Sequence, residues 1–108
     1  MTTAVFSMRG NEPCGVYVQG HSGYAALGED IVCSAVSALT ITTINALEVY
    51  TSQPFEVDQD EEDGIITVNF LDDLSHDAEL LMKSLILGLR SIENEYNNEY
   101  IHVEFREV

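Results

Sequence analysis

A chain of 108 residues with 45% apolar content is long enough for one hydrophobic core and short for two, so we expect a single soluble domain spanning residues 1–108. Four basic residues stand against nineteen acidic ones, a net charge of −15, which excludes a nucleic-acid backbone as direct partner and disfavours anionic membrane surfaces. A field of that sign attracts a basic partner or serves solubility alone.

Ala4-Val5-Phe6-Ser7-Met8 is rich in strand formers and is followed by the turn cluster Gly10-Asn11-Glu12-Pro13. Gly15-Val16-Tyr17-Val18-Gln19 alternates and reads as a second strand, paired with the first as a hairpin. Residues Gly20 to Gly28 hold three of the seven glycines and read as a loop. Asp30 is a good N-cap before a long apolar helix over Ile31 to Tyr50, with Val32, Val36, Leu39, Thr43, Ala46 and Leu47 at helical spacing. At 1.5 Å per residue that helix is about 30 Å long. Its remaining positions are small or apolar too, which predicts a sheet against one face and a partner subunit against another. Six Ser, Thr and Asn residues between Ile31 and Leu47 make it a poor membrane span.

Gln53 and Pro54 end the helix, and Phe55-Glu56-Val57 begins a strand. Asp58 to Gly64 reads as an acidic turn, a solvated loop or a surface that meets a basic substrate. Ile65 to Phe70 is a strand. Ser75 caps a second helix whose apolar stripe is Leu80, Leu81, Leu85, Leu89 and Ile92. Asn97-Asn98 breaks it, and Tyr100 to Phe105 alternates as a closing strand. The order is ββαββαβ, an α+β domain of two layers in which an antiparallel or mixed sheet packs on two long helices.

The N-terminus lacks a basic segment followed by an apolar one, so the expected compartment is the cytoplasm. Cys14 and Cys33 are then reduced thiols. Their spacing suits neither a zinc site nor a redox motif, and the chain is expected to hold no metal and no cofactor.

Three readings compete for the segment Gly20 to Leu39. Gly23 to Gly28 has the GxxxxG half of a phosphate loop, but Glu29 and Asp30 stand where Lys and Ser or Thr are required, and their charge repels phosphate. The second reading is a turn leading into a core helix, with Cys33 as a packed thiol and His21 as a turn residue. The third is a thiol nucleophile. Capped at Asp30, the helix puts Cys33 at its third position, where unsatisfied amides and the helix dipole favour thiolate. A glycine-bearing loop can fold His21 back onto the sulfur, as base for the thiol and acid for the leaving amine, and the same amides can hold an oxyanion.

Gly20-His21-Ser22-Gly23-Tyr24-Ala25, followed by Gly28-Glu29-Asp30-Ile31-Val32-Cys33-Ser34-Ala35-Val36-Ser37-Ala38-Leu39, closely resembles the signature of the ribosomal-processing cysteine protease family, Prp. One departure is Ser34, where the family usually has alanine. The resemblance covers essentially the whole chain. It implies a homodimeric α+β endopeptidase that removes the N-terminal extension of large-subunit ribosomal protein number twenty-seven, cutting after an aromatic residue. It implies Cys33 as nucleophile and His21 as general base and acid. Asp30 caps the helix or also orients His21; Ser37, one turn after Cys33, bonds near the sulfur or back to its own helix. Gly20, Gly23 and Gly28 give the loop its turns and mobility. Cys14, His76 and His102 read as structural. The alternative function is a non-catalytic acidic module that binds a basic ribosomal protein as assembly factor or chaperone.

Overall fold

The computed structural model describes residues 1–20 and 27–108, apart from the side chains of Leu27 and Glu29. The elements are β1 (Thr2–Arg9), β2 (Glu12–Gln19), α1 (Leu27–Tyr50), β3 (Phe55–Asp60), β4 (Ile65–Phe70), α2 (His76–Glu95) and β5 (Ile101–Glu107). This is the expected ββαββαβ order.

The strands form one sheet in the order β3-β4-β2-β1-β5. β1 and β2 make the expected hairpin, with a bulge between Ser7 and Met8 and Gly10 at φ +65° in the turn. β2 then pairs antiparallel with β4, and β4 with β3. β5 lies parallel to β1, so the sheet is mixed. Alternation sorts the side chains. Thr2, Ala4 and Phe6 of β1, Val16 and Val18 of β2, Val68 of β4 and Ile101 and Val103 of β5 are buried on the helix side.

α1 and α2 lie against that face. α1 buries Val32, Val36, Thr40 and Leu47. By length and composition its Asp30–Tyr50 stretch is apolar enough to cross a membrane, contrary to the reading of its polar interruptions. In this fold those four residues belong to the protein interior, while Ile31, Ile41, Val49 and Tyr50 are exposed. α2 buries Ala78, Met82, Leu85 and Leu89. Leu80, expected on the buried stripe, points outward instead, because the packed face is set by the i, i+4, i+7, i+11 row that starts at Ala78.

Ser75 caps α2 as expected, its hydroxyl accepting from the Ala78 N–H. The loop before it is organised by the buried Gln53. The side chain accepts from the Ser75 N–H at 2.7 Å and donates to the carbonyls of Asp72 and Asp73. Asn97 and Asn98, both at positive φ, turn the chain from α2 into β5.

Two boundaries differ from the sequence reading. α1 starts at Leu27, so Asp30 is its fourth residue and not its N-cap, and Gly28 is helical rather than part of a loop. A Cβ on Gly28 would stand 3.0 Å from the Tyr100 ring, which itself packs edge-on against Tyr96 at 5.5 Å. Gly28 therefore lets α1 approach the entry to β5. Asp58, Gln59 and Asp60 extend β3 by pairing with Thr67, Ile66 and Ile65, which leaves only residues 61–64 as the turn.

Candidate active site

Cys33 is the seventh residue of α1 and is half-buried. With α1 starting at Leu27, the Cys33 N–H is committed to the carbonyl of Glu29, four residues back. The free first-turn amides belong to the preceding turn. The expected position at the helix end, and the oxyanion donor it offered at the sulfur, are thus corrected: the helix extends one turn further toward the N-terminus.

Cys33, Ser37 and Ile41 recur every four residues and present one strip of α1. That strip forms one wall of a cleft of about 250 Å³. The opposite wall is the tip of the β3–β4 hairpin, from Gln59, Asp60 and Glu61 to Gly64, Ile65 and Ile66. Gly20, one residue past the end of β2, closes the end of the cleft. A Cβ on Gly20 would stand 3.1 Å from the Cys33 sulfur. The Gly20 N–H donates to the Gly64 carbonyl at 2.9 Å, and the backbone there is thereby tied to the hairpin.

Gly64 makes that approach possible. Its φ is +67°, and a Cβ there would stand 2.9 Å from the Gly20 carbonyl oxygen. The sequence alone marked Gly64 only as a turn residue. Its second role follows from the pairing of β2 with β4, which ends at Gln19 opposite Ile65 and brings Gly64 beside Gly20.

Ser37 lies in the cleft wall one turn beyond Cys33. Asp30 is exposed and three residues before Cys33. His21 and Gly23 lie outside the described residues. Cys14 is elsewhere: its thiol donates to the Ser7 carbonyl at 3.3 Å across the hairpin, beside a second pocket lined by Arg9, Glu12 and Asp72. His76 and His102 are exposed and belong to neither pocket. A half-buried thiol in a cleft, with a glycine opening the approach to its sulfur, is the arrangement a thiol nucleophile needs.

Residues 1–102 match the sequence family described as Cysteine protease Prp. The chain belongs to the Prp cysteine protease family. It is therefore a hydrolase that cuts peptide bonds with a thiol, and the alternative of a non-catalytic module gives way. A family relative from Staphylococcus aureus, named ribosomal processing cysteine protease Prp, is 30% identical over 91 residues, covering 84% of this chain and 85% of its own. Two solved structures of the S. aureus protease are also similar. One, in complex with a substrate peptide, superposes with a TM-score of 0.89 at 26% identity, covering 98% of this chain and 100% of the other. The second holds a covalently linked product peptide, with a TM-score of 0.85, 27% identity and the same coverage.

Proposed function

We propose that the chain processes a ribosomal protein: it removes the N-terminal extension of large-subunit ribosomal protein number twenty-seven, cutting after an aromatic residue. The observation that carries the reading is the Cys33 sulfur in a peptide-sized cleft with Gly20 against it, since Gly20 is bonded directly to His21. Successive Cα atoms are about 3.8 Å apart, so the candidate base follows the residue that touches the nucleophile.

His21 takes the Cys33 proton, and the thiolate attacks the scissile carbonyl. The tetrahedral intermediate collapses as the imidazolium gives its proton to the departing amine, leaving a thioester on Cys33. Water, deprotonated by His21, hydrolyses the thioester and restores the thiol. Asp30 stands on the helix side that leads to Cys33 and orients His21. Ser37 lines the path of the peptide. The apolar lining from Ile41, Ile65 and Ile66 suits an aromatic side chain. The net charge of −15 suits a basic ribosomal precursor. A cytoplasmic setting, which keeps thiols reduced, suits the nucleophile.

The protein works as a homodimer in this reading. Leu39, Leu80 and Leu87 are exposed on the outer helix layer, where Leu39 and Leu81 line a groove between α1 and α2. A second copy would remove that surface from water.

The test is a cleavage assay on the extended ribosomal protein, with products weighed by mass spectrometry. One cut after an aromatic residue, lost in Cys33→Ala and in His21→Ala, is the expected result. A cut that survives Cys33→Ala would overturn the reading.

A further inference from the structure

β3 is the outermost strand on its side of the sheet. It pairs with β4, and among the described residues no strand covers its other edge. Such an edge carries unpaired backbone N–H and C=O groups.

The two sides of this strand differ in chemistry. Val57 stands opposite Val68, which is buried on the helix side of the sheet. Phe55, Val57 and Gln59 therefore face the helix layer, and Glu56, Asp58 and Asp60 face the other way. The three carboxylates recur at every second residue, about 6.8 Å apart.

The edge also leads away from the nucleophile. Gln59, on the helix side, lies in the cleft wall opposite Cys33, and the cleft reaches Asp60 where the strand enters its turn. α1 runs on from Cys33 to Ile41, which is about 12 Å along its axis. Ile41 lines the cleft, and Val57 lies two residues before Gln59 on the same side of β3; each is 42% exposed and free to meet an apolar side chain of a peptide laid along that edge.

We infer that the free edge of β3 takes the substrate as an added strand. Backbone groups of the extended peptide pair with β3. Alternate apolar side chains meet Ile41 and Val57, and lysine or arginine at the intervening positions meets Asp60, Asp58 and Glu56. Specificity is then for a peptide that alternates apolar and basic residues beside the cut. Charge selects this occupant over a second copy, because two such edges would oppose carboxylate to carboxylate. The inference rests on the proposed reading that an extended peptide is cleaved at Cys33.

The experiment uses a fluorescein-labelled peptide spanning the cut of the extended ribosomal protein, and a series of it with one backbone nitrogen methylated at a time. Binding is measured by anisotropy on Cys33→Ala, and cleavage by mass spectrometry on the unaltered protein. We expect affinity to fall about tenfold at every second position and to hold at those between, since only alternate N–H groups of an added strand face β3. A flat profile, or no saturable binding, overturns the inference. Glu56→Gln with Asp58→Asn should weaken the lysine-bearing peptide roughly threefold to tenfold and leave its norleucine counterpart unchanged. Equal weakening of both peptides overturns the charge assignment. Alternating binding without cleavage would fell the protease reading and leave the added strand standing; cleavage with a flat profile does the reverse.

Discussion

The Gly20 N–H donates to the Gly64 carbonyl at 2.9 Å, and this bond joins the end of β2 to the β3–β4 turn at the mouth of the Cys33 cleft. It holds the last described residue before His21 in place against the nucleophile. Gly64→Ala should break it. The new Cβ would meet the Gly20 carbonyl oxygen at 2.9 Å, and alanine is strained at φ +67°. The expected cost is about 1–2 kcal/mol in urea unfolding. A fall of tenfold or more in kcat/KM should accompany it, because the cleft wall shifts with the turn. Full activity in this variant would remove Gly64 from the site.

Gly20→Ala isolates crowding at the sulfur. The added methyl would stand 3.1 Å from the Cys33 sulfur. The thiol must rotate away or the strand end must move. We expect kcat to fall by about tenfold or more, with a change in melting temperature smaller than that of Gly64→Ala. Alkylation of Cys33 by iodoacetamide should slow in parallel, while Cys14, bonded to Ser7 at the far end of β2, should react as before.

Thr40 is wholly buried in α1, and among the described residues its hydroxyl has no hydrogen-bond partner. Valine has nearly the same outline and carries no polar group to desolvate. Thr40→Val should stabilise the fold by about 1 kcal/mol in denaturant unfolding and leave cleavage unchanged. A loss of stability would mean that the hydroxyl is satisfied.

On α2, Lys83 Nζ stands 2.8 Å from Glu79 Oε1. The hydrogen bond from Lys83 holds the Glu79 carboxyl below its ordinary value, and the charge of Lys83 adds to it; His76 contributes less, and burial opposes. A carboxyl lowered in the folded state stabilises the protein above its unfolded pKa, about 4.3. That contribution is lost as pH falls through the folded value. Lys83→Met should move the Glu79 titration upward, read by NMR, and flatten the acid limb of the stability curve slightly. An unmoved titration would show that the pair does not hold in solution.

The strands, the two helices and their order were legible in the sequence because each carries its own periodicity: two in Ala4 to Met8 and Tyr100 to Phe105, near 3.6 in Val32, Val36 and Leu47. Ser75 was legible as a cap because capping needs only a hydroxyl at the right place. Asp30 has the same chemistry and misled, because the helix continues one turn before it into residues whose pattern resembles a loop. Leu80 misled in the same way, since an apolar residue does not itself say which helix face meets the sheet.

The sequence by itself determined the element order, the charge and the Gly20 to Leu39 signature, with Cys33 within it; all are local properties of the chain. Only the tertiary structure decided what faces the thiol. The far wall of the cleft comes from Gln59 to Ile66, beyond the whole of α1, and it reaches Cys33 through the pairing of β2 with β4. Strand pairing across such a separation is set by the burial of both strands under the helices, and no periodicity within either strand encodes its partner.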